Sequence, residues 1–139
     1  MERAEALATL VGRLLIAALF LGGAVQKAMD PTQVTEMLRG WGLPGGLVRV
    51  ALVYNALAAL ALIAGVGARL AALSLAGYCG LTSFFHLIPD DPWQMTIFVK
   101  NWAIAGGCLI LAVHGPGRWS LRNRTSGLAS ERRRYGTDE

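Results

Sequence analysis

The chain contains few charged residues. Of its 139 residues, 16% are Asp, Glu, Lys or Arg and 54% are hydrophobic, and the mean hydropathy is positive. Soluble domains have about 25% charged residues, so an ordinary soluble domain is excluded. The charges also avoid long parts of the sequence: residues 50–68, 70–88 and 101–117 have none, and residues 7–25 contain only Arg13. Long apolar stretches of this kind are typical of integral membrane proteins.

The apolar stretches also lack the alternation of apolar and polar residues that transmembrane β-strands require. Each is about 19 residues long, which corresponds to roughly 28 Å of helix and matches the ~30 Å hydrocarbon core of a bilayer. The sequence therefore predicts an all-α integral membrane protein, a four-helix transmembrane bundle with spans near residues 7–27, 48–66, 69–88 and 97–115. A cleaved signal peptide with its apolar core at residues 14–21 is the alternative for the first span, but no convincing small-x-small cleavage site follows and Lys27 comes directly after the apolar stretch.

Recognisable catalytic and metal-binding motifs are missing from the sequence as well. It has no Gly-rich phosphate loop, no Ser–His–Asp arrangement and no His, Cys and carboxylate cluster with metal-ligand spacing. Cys79 and Cys108 lie near the middle of different spans, where hydrocarbon disfavours the thiolate that redox chemistry needs. We expect no metal site and no covalent cofactor, and we expect both cysteines to act as small apolar residues.

The basic residues predict the orientation of the spans, because short flanks rich in Arg and Lys stay in the cytoplasm. Six arginines follow the fourth span: Arg118, Arg122, Arg124, Arg132, Arg133 and Arg134. Arg69 lies in the second connection, and the N-terminus falls on the same side after four spans. We predict that both termini are cytoplasmic, with a transmembrane domain over residues 1–117 and a basic, largely disordered tail over residues 118–139.

Most of the formal net charge of +4 comes from this tail. Trp119 is the one aromatic residue that lies between arginines of the tail, and no nucleic-acid-binding module is recognisable. Contact with anionic lipid therefore explains the charge better than a nucleic-acid partner.

The longest connection, near residues 28–46, predicts a fifth and shorter helix. Four apolar residues are spaced as on one helical face: Val34, Met37, Leu38 and Trp41. The Gly42-Leu43-Pro44-Gly45-Gly46 segment then predicts a turn. We expect a short interfacial helix in this first loop.

Polar residues within the spans are candidates for ligand binding, because an ionised group in lipid costs a few kcal/mol and usually faces the bundle interior. Lys27, His86, Lys100 and Asn101 are predicted at a similar depth on the non-cytoplasmic side, and Asn55 in the middle of the second span. Together they suit an outward-facing, positively charged pocket for a quinone head group or a small oxoanion. The alternative is that the lysines snorkel to the interface, His86 bonds a carbonyl and Asn55 packs helices.

Two further features of the spans predict packing. Arg13 is expected to snorkel towards the cytoplasmic interface or to pair with Glu5. Ala72, Ala76 and Gly80 recur every four residues and allow close helix approach, either within one bundle or between copies of the chain.

Several short segments follow one another in a distinctive order between residues 10 and 122. They are the first span with Arg13, Phe20, Gly23 and Lys27; Gly42-Leu43-Pro44; Gly65-Val66-Gly67-Ala68-Arg69; His86; Phe98-Val99-Lys100-Asn101; Gly106-Gly107; and Gly115-Pro116-Gly117-Arg118-Trp119-Ser120-Leu121. This order resembles the DoxX family of small four-helix bacterial membrane proteins. The resemblance implies a membrane component of redox systems, such as a thiosulfate:quinone oxidoreductase, located in the bacterial inner membrane. It also implies that Lys27, His86, Lys100 and Asn101 are the family's polar positions.

Two positions depart from the family's pattern. Asn55 stands where many members have Glu, and Arg122 stands where Asp often follows the Ser-Leu pair. Loss of the Glu removes a proton acceptor, which favours an anchoring or assembly role in a larger membrane complex. The partners would be other membrane or redox subunits or further copies of the chain. A quinone-linked oxidoreductase subunit is the alternative, and a small carrier or channel is the third hypothesis.

Overall fold

The computed structural model describes residues 2–121, a range that contains five α-helices and no β-strand. The helices are α1 (Glu2–Met29), α2 (Thr32–Gly40), α3 (Leu47–Ala64), α4 (Ala68–Ser83) and α5 (Pro92–His114), and a 3₁₀ turn (Phe84–His86) continues α4. The long helices α1, α3 and α5, and α4 together with its 3₁₀ turn, are each long and apolar enough to cross a membrane. The predicted all-α membrane architecture is confirmed, although α1 and α5 begin about one turn earlier than predicted.

Local signals explain where the helices begin and end. Gly65 and Gly67 have positive φ angles of 71° and 62°, so the connection between α3 and α4 is a turn of only three residues. At the other end of the bundle, the Asp91 carboxylate accepts hydrogen bonds from the backbone N–H groups of Trp93 and Gln94, and Pro92 occupies the first helical position. The Gly turn and the Asp cap thus orient α4 and α5.

The four long helices form two closely packed pairs. α1 packs along α3 and α4 packs along α5, whereas α3 contacts α4, and α1 contacts α5, over much less of their lengths. The core between the pairs lies mainly in one half of the bundle and is built from small and medium side chains. Its most completely buried members include Ala17, Ala59, Leu62, Ala72, Leu75 and Cys108.

The small residues of α4 lie inside this bundle. Ala72 and Ala76 are buried in the core, and the Cα of Gly80 faces the Trp102 ring of α5, which lies 3.7 Å from where a Cβ would stand. The Ala72–Ala76–Gly80 spacing therefore serves packing between α4 and α5, as one of the two predicted alternatives.

We call the end of the bundle that carries Glu2, the Gly65–Gly67 turn and residues 115–121 the terminal end, and the end that carries α2 and residues 87–91 the loop end. Arg13 is buried near the terminal end, with 2% of its surface exposed. Its guanidinium donates hydrogen bonds to the carbonyl oxygens of Pro116, at 2.7 Å, and Trp119, at 2.9 Å. The guanidinium extends towards the terminal end, the direction expected of snorkelling, but the expected pairing with Glu5 was wrong. The chain after α5 folds back over α1 and supplies carbonyl acceptors instead.

The segment after α5 continues along α1. The exposed Arg118 and Glu2 side chains form a salt bridge at 2.8 Å, and Ser120 is buried. The predicted tail thus begins with residues that pack against the bundle. The remainder of that tail, residues 122–139, and its predicted disorder lie outside the described residues.

Candidate ligand-binding cavity

A cavity of about 1120 Å³ occupies the half of the bundle nearest the loop end. It lies between the α1–α3 pair and the α4–α5 pair, where the helices are not held together by the core. Small-molecule sites usually have volumes of ~300–1,000 Å³, so this cavity is large enough for a drug-sized molecule and part of an alkyl chain. Its walls are predominantly apolar.

The short helix α2 covers the loop end of this cavity. Val34, Met37 and Leu38 line the cavity, and Leu38 is buried. Trp41, which follows α2, packs edge-on against Phe85 with ring centroids 5.4 Å apart. The apolar face predicted for the first-loop helix is therefore turned towards the cavity. Helix α2 thus forms the wall of the cavity at the loop end.

All five residues predicted as ligand-binding positions line this one cavity. They are Lys27 on α1, Asn55 on α3, His86 on the 3₁₀ turn, and Lys100 and Asn101 on α5. These residues are far apart in the sequence, and only the packing of the two helix pairs brings them together. The cavity is thus an apolar space with a polar region built from four elements.

Lys27 extends into the cavity instead of snorkelling to the interface. Its ammonium donates a hydrogen bond to the carbonyl oxygen of Gly23, at 3.1 Å, one turn back along α1 and therefore deeper in the bundle. A Cβ on Gly23 would lie 3.5 Å from Lys27 Nζ and 3.8 Å from Asn55 Nδ2. The missing side chain of Gly23 thus leaves room for the ammonium and the amide on the same side of α1.

Asn55 is the most deeply buried of the five residues, with 2% of its surface exposed. Its side chain lies beside the Tyr78 hydroxyl, but Oδ1 has no hydrogen-bond partner among residues 2–121. A buried amide oxygen without a donor costs about 1–3 kcal/mol. Asn55 therefore offers an unused acceptor at the deep end of the cavity.

His86 is oriented by the first turn of α5. Its Nδ1 donates a hydrogen bond to Gln94 Oε1, 2.6 Å away, and Gln94 is itself placed by the Asp91 cap. With the proton on Nδ1, the other ring nitrogen, Nε2, keeps its lone pair, and His86 lines the cavity. A histidine fixed in this way can accept a proton from a ligand at Nε2, or donate one after protonation.

Lys100 and Asn101 complete the polar region from the side of α5. Lys100 lies two helical turns before Gly107, whose Cα faces Ile16 of α1, so Lys100 belongs to the face of α5 that looks towards α1. Its side chain is exposed and Asn101 is half-buried. Neither Lys27 nor Lys100 has a carboxylate of a described residue within ion-pair distance.

Asp30 is the acidic residue of the cavity lining. Its carboxylate accepts a hydrogen bond from the Thr32 backbone N–H at 3.0 Å, and this bond, followed by one with the Thr32 side chain, lowers the pKa of Asp30 below its ordinary value. Asp30 thus helps to start α2, and the two lysines leave the lining with a net positive charge.

The deep end of the cavity joins Tyr54, which the sequence places beside Asn55 as a possible ligand contact, with Tyr78 and Thr82, which the sequence did not single out. The rings of Phe20 and Tyr78 lie 6.3 Å apart, and those of Tyr54 and Tyr78 lie 5.3 Å apart. Tyr54 also donates a hydrogen bond to Ser74 of α4, at 2.8 Å. Tyr78, Thr82 and His86 are spaced four residues apart on one face of α4 and its extension, and this spacing was the available signal for Tyr78 and Thr82.

These features define the class of protein: a small polytopic membrane protein with a ligand-sized cavity between its helices. A match to the family described as DoxX covers residues 8–88, more than half of the chain. The chain is also 31% identical to the inner membrane protein YqjF of Escherichia coli (strain K12) over 122 residues, which are 87% of this chain and 94% of that protein. The chain belongs to the DoxX family. No solved structure matches it.

Proposed function

We propose that the protein is a membrane subunit of a redox system and that its cavity binds a quinone. The observation that carries the proposal is the convergence of Lys27, Asn55, His86, Lys100 and Asn101 on one otherwise apolar cavity. A quinone has carbonyl oxygens on an apolar ring with an apolar tail. The ammonium and amide groups can donate hydrogen bonds to the carbonyls, while the apolar walls accept the ring.

The positive charge of the lining also suits a reduced quinone. When a quinone gains electrons, negative charge develops on its oxygens, and nearby ammonium groups stabilise that charge. His86 lines the cavity, and its Nε2 can exchange a proton with such an oxygen. In this proposal a partner protein supplies the electrons, in keeping with the family resemblance to redox-associated membrane components.

We place the protein in the bacterial inner membrane, as its E. coli relative is named an inner membrane protein, with both termini in the cytoplasm as the arginines predict. The cavity then lies in the outer half of the bilayer. An anchoring or assembly role without ligand is the competing function. The exposed apolar helix faces are equally compatible with lipid and with another subunit, so the cavity favours the binding function.

The test compares two double variants of the purified protein in lipid nanodiscs. His86→Ala/Lys100→Ala removes two cavity groups, and Arg49→Ala/His114→Ala removes the same number of residues of similar chemistry outside the cavity. The probe is a benzoquinone with a decyl chain. The cavity variant is expected to bind it at least about tenfold more weakly, because a hydrogen bond to a charged group contributes ~1.5–3 kcal/mol.

The same variants are tested for proteins that co-purify from cells. Unchanged quinone binding by the cavity variant rejects the proposed function, as does a wild-type protein that does not bind the probe. Loss of co-purifying partners without loss of quinone binding favours the anchoring role instead.

A further inference from the structure

The cavity has a side opening between α3 and α4. Leu47 and Val50 on α3 and Leu81 on α4 line the cavity, yet they are also exposed, Leu47 at 39%, Val50 at 63% and Leu81 at 65%. A residue can line the cavity and also be exposed only where the cavity reaches the outer surface of the bundle. In a membrane, that surface faces the acyl chains of the lipids.

A hydrogen bond between α3 and α4 closes this opening on the side of the terminal end. The Tyr54 hydroxyl donates to Ser74 Oγ across the gap between α3 and α4, and towards the terminal end the helices close onto the core. Over their whole lengths α3 and α4 make few contacts with each other, and the exposed lining residues Val50 and Leu81 lie on the loop-end side of this hydrogen bond. The gap therefore begins at the Tyr54–Ser74 hydrogen bond and extends towards the loop end.

The other boundaries of the cavity are less suited to an apolar chain. The loop end is covered by α2. On α1 the exposed Leu19 also lines the cavity, but the gap between α1 and α5 carries Lys100 on the face of α5 that looks towards α1, and Gln26 on α1. The gap between α3 and α4 is bordered by aliphatic side chains, so an apolar chain that leaves the cavity there avoids contact with charged groups.

We propose that the ligand is a bilayer-dissolved amphiphile that reaches the cavity through the gap between α3 and α4, with its alkyl or isoprenoid tail lying between Val50 and Leu81. This inference rests on the proposed function for its head group and adds the route and the tail site. A water-soluble oxoanion, the other ligand class suggested by the sequence, has no tail to place there.

The test uses two benzoquinone probes with the same head group, one with a decyl chain and one without. Val50→Trp and Leu81→Trp fill the opening, while Leu57→Trp and Leu73→Trp place the same ring on exposed positions of α3 and α4 outside the cavity. Binding is measured in nanodiscs. The opening variants should weaken binding of the decyl probe at least tenfold and change binding of the short probe less than twofold, with both probes unaffected in the control variants.

The inference is overturned if the opening variants leave the decyl probe unaffected, or if they weaken both probes equally. It is also overturned if Leu19→Trp, which lies in the cavity lining on α1, has the selective effect on the decyl probe. If the wild-type protein binds neither probe, the proposed function itself fails, so the two failures are distinguishable.

A second measurement uses the unmodified sequence and so does not depend on whether a variant folds. A decyl benzoquinone with a photoreactive group at the end of its chain is irradiated with the wild-type protein in nanodiscs, and the labelled peptides are identified by mass spectrometry. Labelling of α3 and α4 near Val50 and Leu81, competed by unlabelled probe, is expected. Competed labelling of α1 or α5 instead contradicts the route.

Discussion

Lys27 donates a hydrogen bond from its ammonium group to the carbonyl oxygen of Gly23, 3.1 Å away and one turn deeper in the bundle. A lysine at the end of a membrane span ordinarily extends towards water. Here the side chain turns the other way, into a largely apolar cavity, and no carboxylate of the described residues lies within ion-pair distance of the ammonium. Such an arrangement costs desolvation of the charge and indicates a role for the ammonium beyond folding.

The Lys27→Met variant separates binding from stability. The methionine side chain fills similar space without charge, so we expect binding of the decyl benzoquinone to weaken about tenfold or more. The unfolding midpoint in detergent should stay the same or rise, because the desolvation cost disappears. Arg49→Met, outside the cavity, is the control. A lower midpoint with unchanged binding would show that Lys27 is a structural residue.

Gln94 should affect quinone binding only because its hydrogen bond orients the His86 ring. Gln94→Leu is expected to weaken quinone binding several-fold, less than His86→Ala, because it releases the ring without removing it. In the His86→Ala background, Gln94→Leu should have no further effect. Thr96→Val, on α5 but outside the cavity, is the control in the same binding assay. Additive effects of the two substitutions would contradict the positioning role.

Arg13 should stabilise the terminal end without affecting the cavity. Arg13→Met leaves the carbonyl oxygens of Pro116 and Trp119 without their donor, and we expect a loss of about 2–4 kcal/mol of unfolding free energy. Arg3→Met, at an exposed position of the same helix, should change stability by less than about 0.5 kcal/mol. Denaturant unfolding in detergent measures both. Equal effects of the two variants would reject the proposed contribution of Arg13.

Gly65 and Gly67 allow backbone strain to be separated from steric overlap. Both have positive φ, but a Cβ on Gly65 would lie 2.5 Å from Ser120 Cβ and 2.7 Å from Arg13 Nη1, whereas a Cβ on Gly67 meets nothing within 4 Å. We expect Gly67→Ala to cost about 1 kcal/mol and Gly65→Ala distinctly more. Ser120→Gly should recover part of the Gly65→Ala loss. Thermal unfolding midpoints that are equal for the two alanine variants would contradict this packing.

The predicted orientation can be tested by labelling from each side of the membrane. Asp90→Cys, in the loop between the 3₁₀ turn and α5, should react with a membrane-impermeant thiol reagent added outside, while Cys79 and Cys108 are buried and give little background. Alkaline phosphatase fused at the C-terminus should be inactive and a fluorescent protein fused there should be bright. An active phosphatase fusion would invert the assigned topology.

The sequence by itself determined the number, length and position of the membrane-spanning helices. The bilayer thickness sets the length of each apolar segment and forces the backbone to form helices, so the four spans could be located from the distribution of charges alone. The apolar spacing of Val34, Met37 and Leu38 likewise predicted α2, and the same scarcity of charge singled out Lys27, Asn55, His86, Lys100 and Asn101. These are local properties that do not depend on how the helices are arranged.

The tertiary structure alone decided how the helices pair and what the polar residues contact. The partners of Arg13 could not be predicted because its acceptors, the carbonyls of Pro116 and Trp119, lie about a hundred residues away in the sequence. The cavity exists because α1–α3 and α4–α5 pack as separate pairs that meet closely only in the half near the terminal end. This pairing of the helices follows from the fit of small side chains such as Ala59 and Ala72 between neighbouring helices. The sequence of a single span does not reveal it.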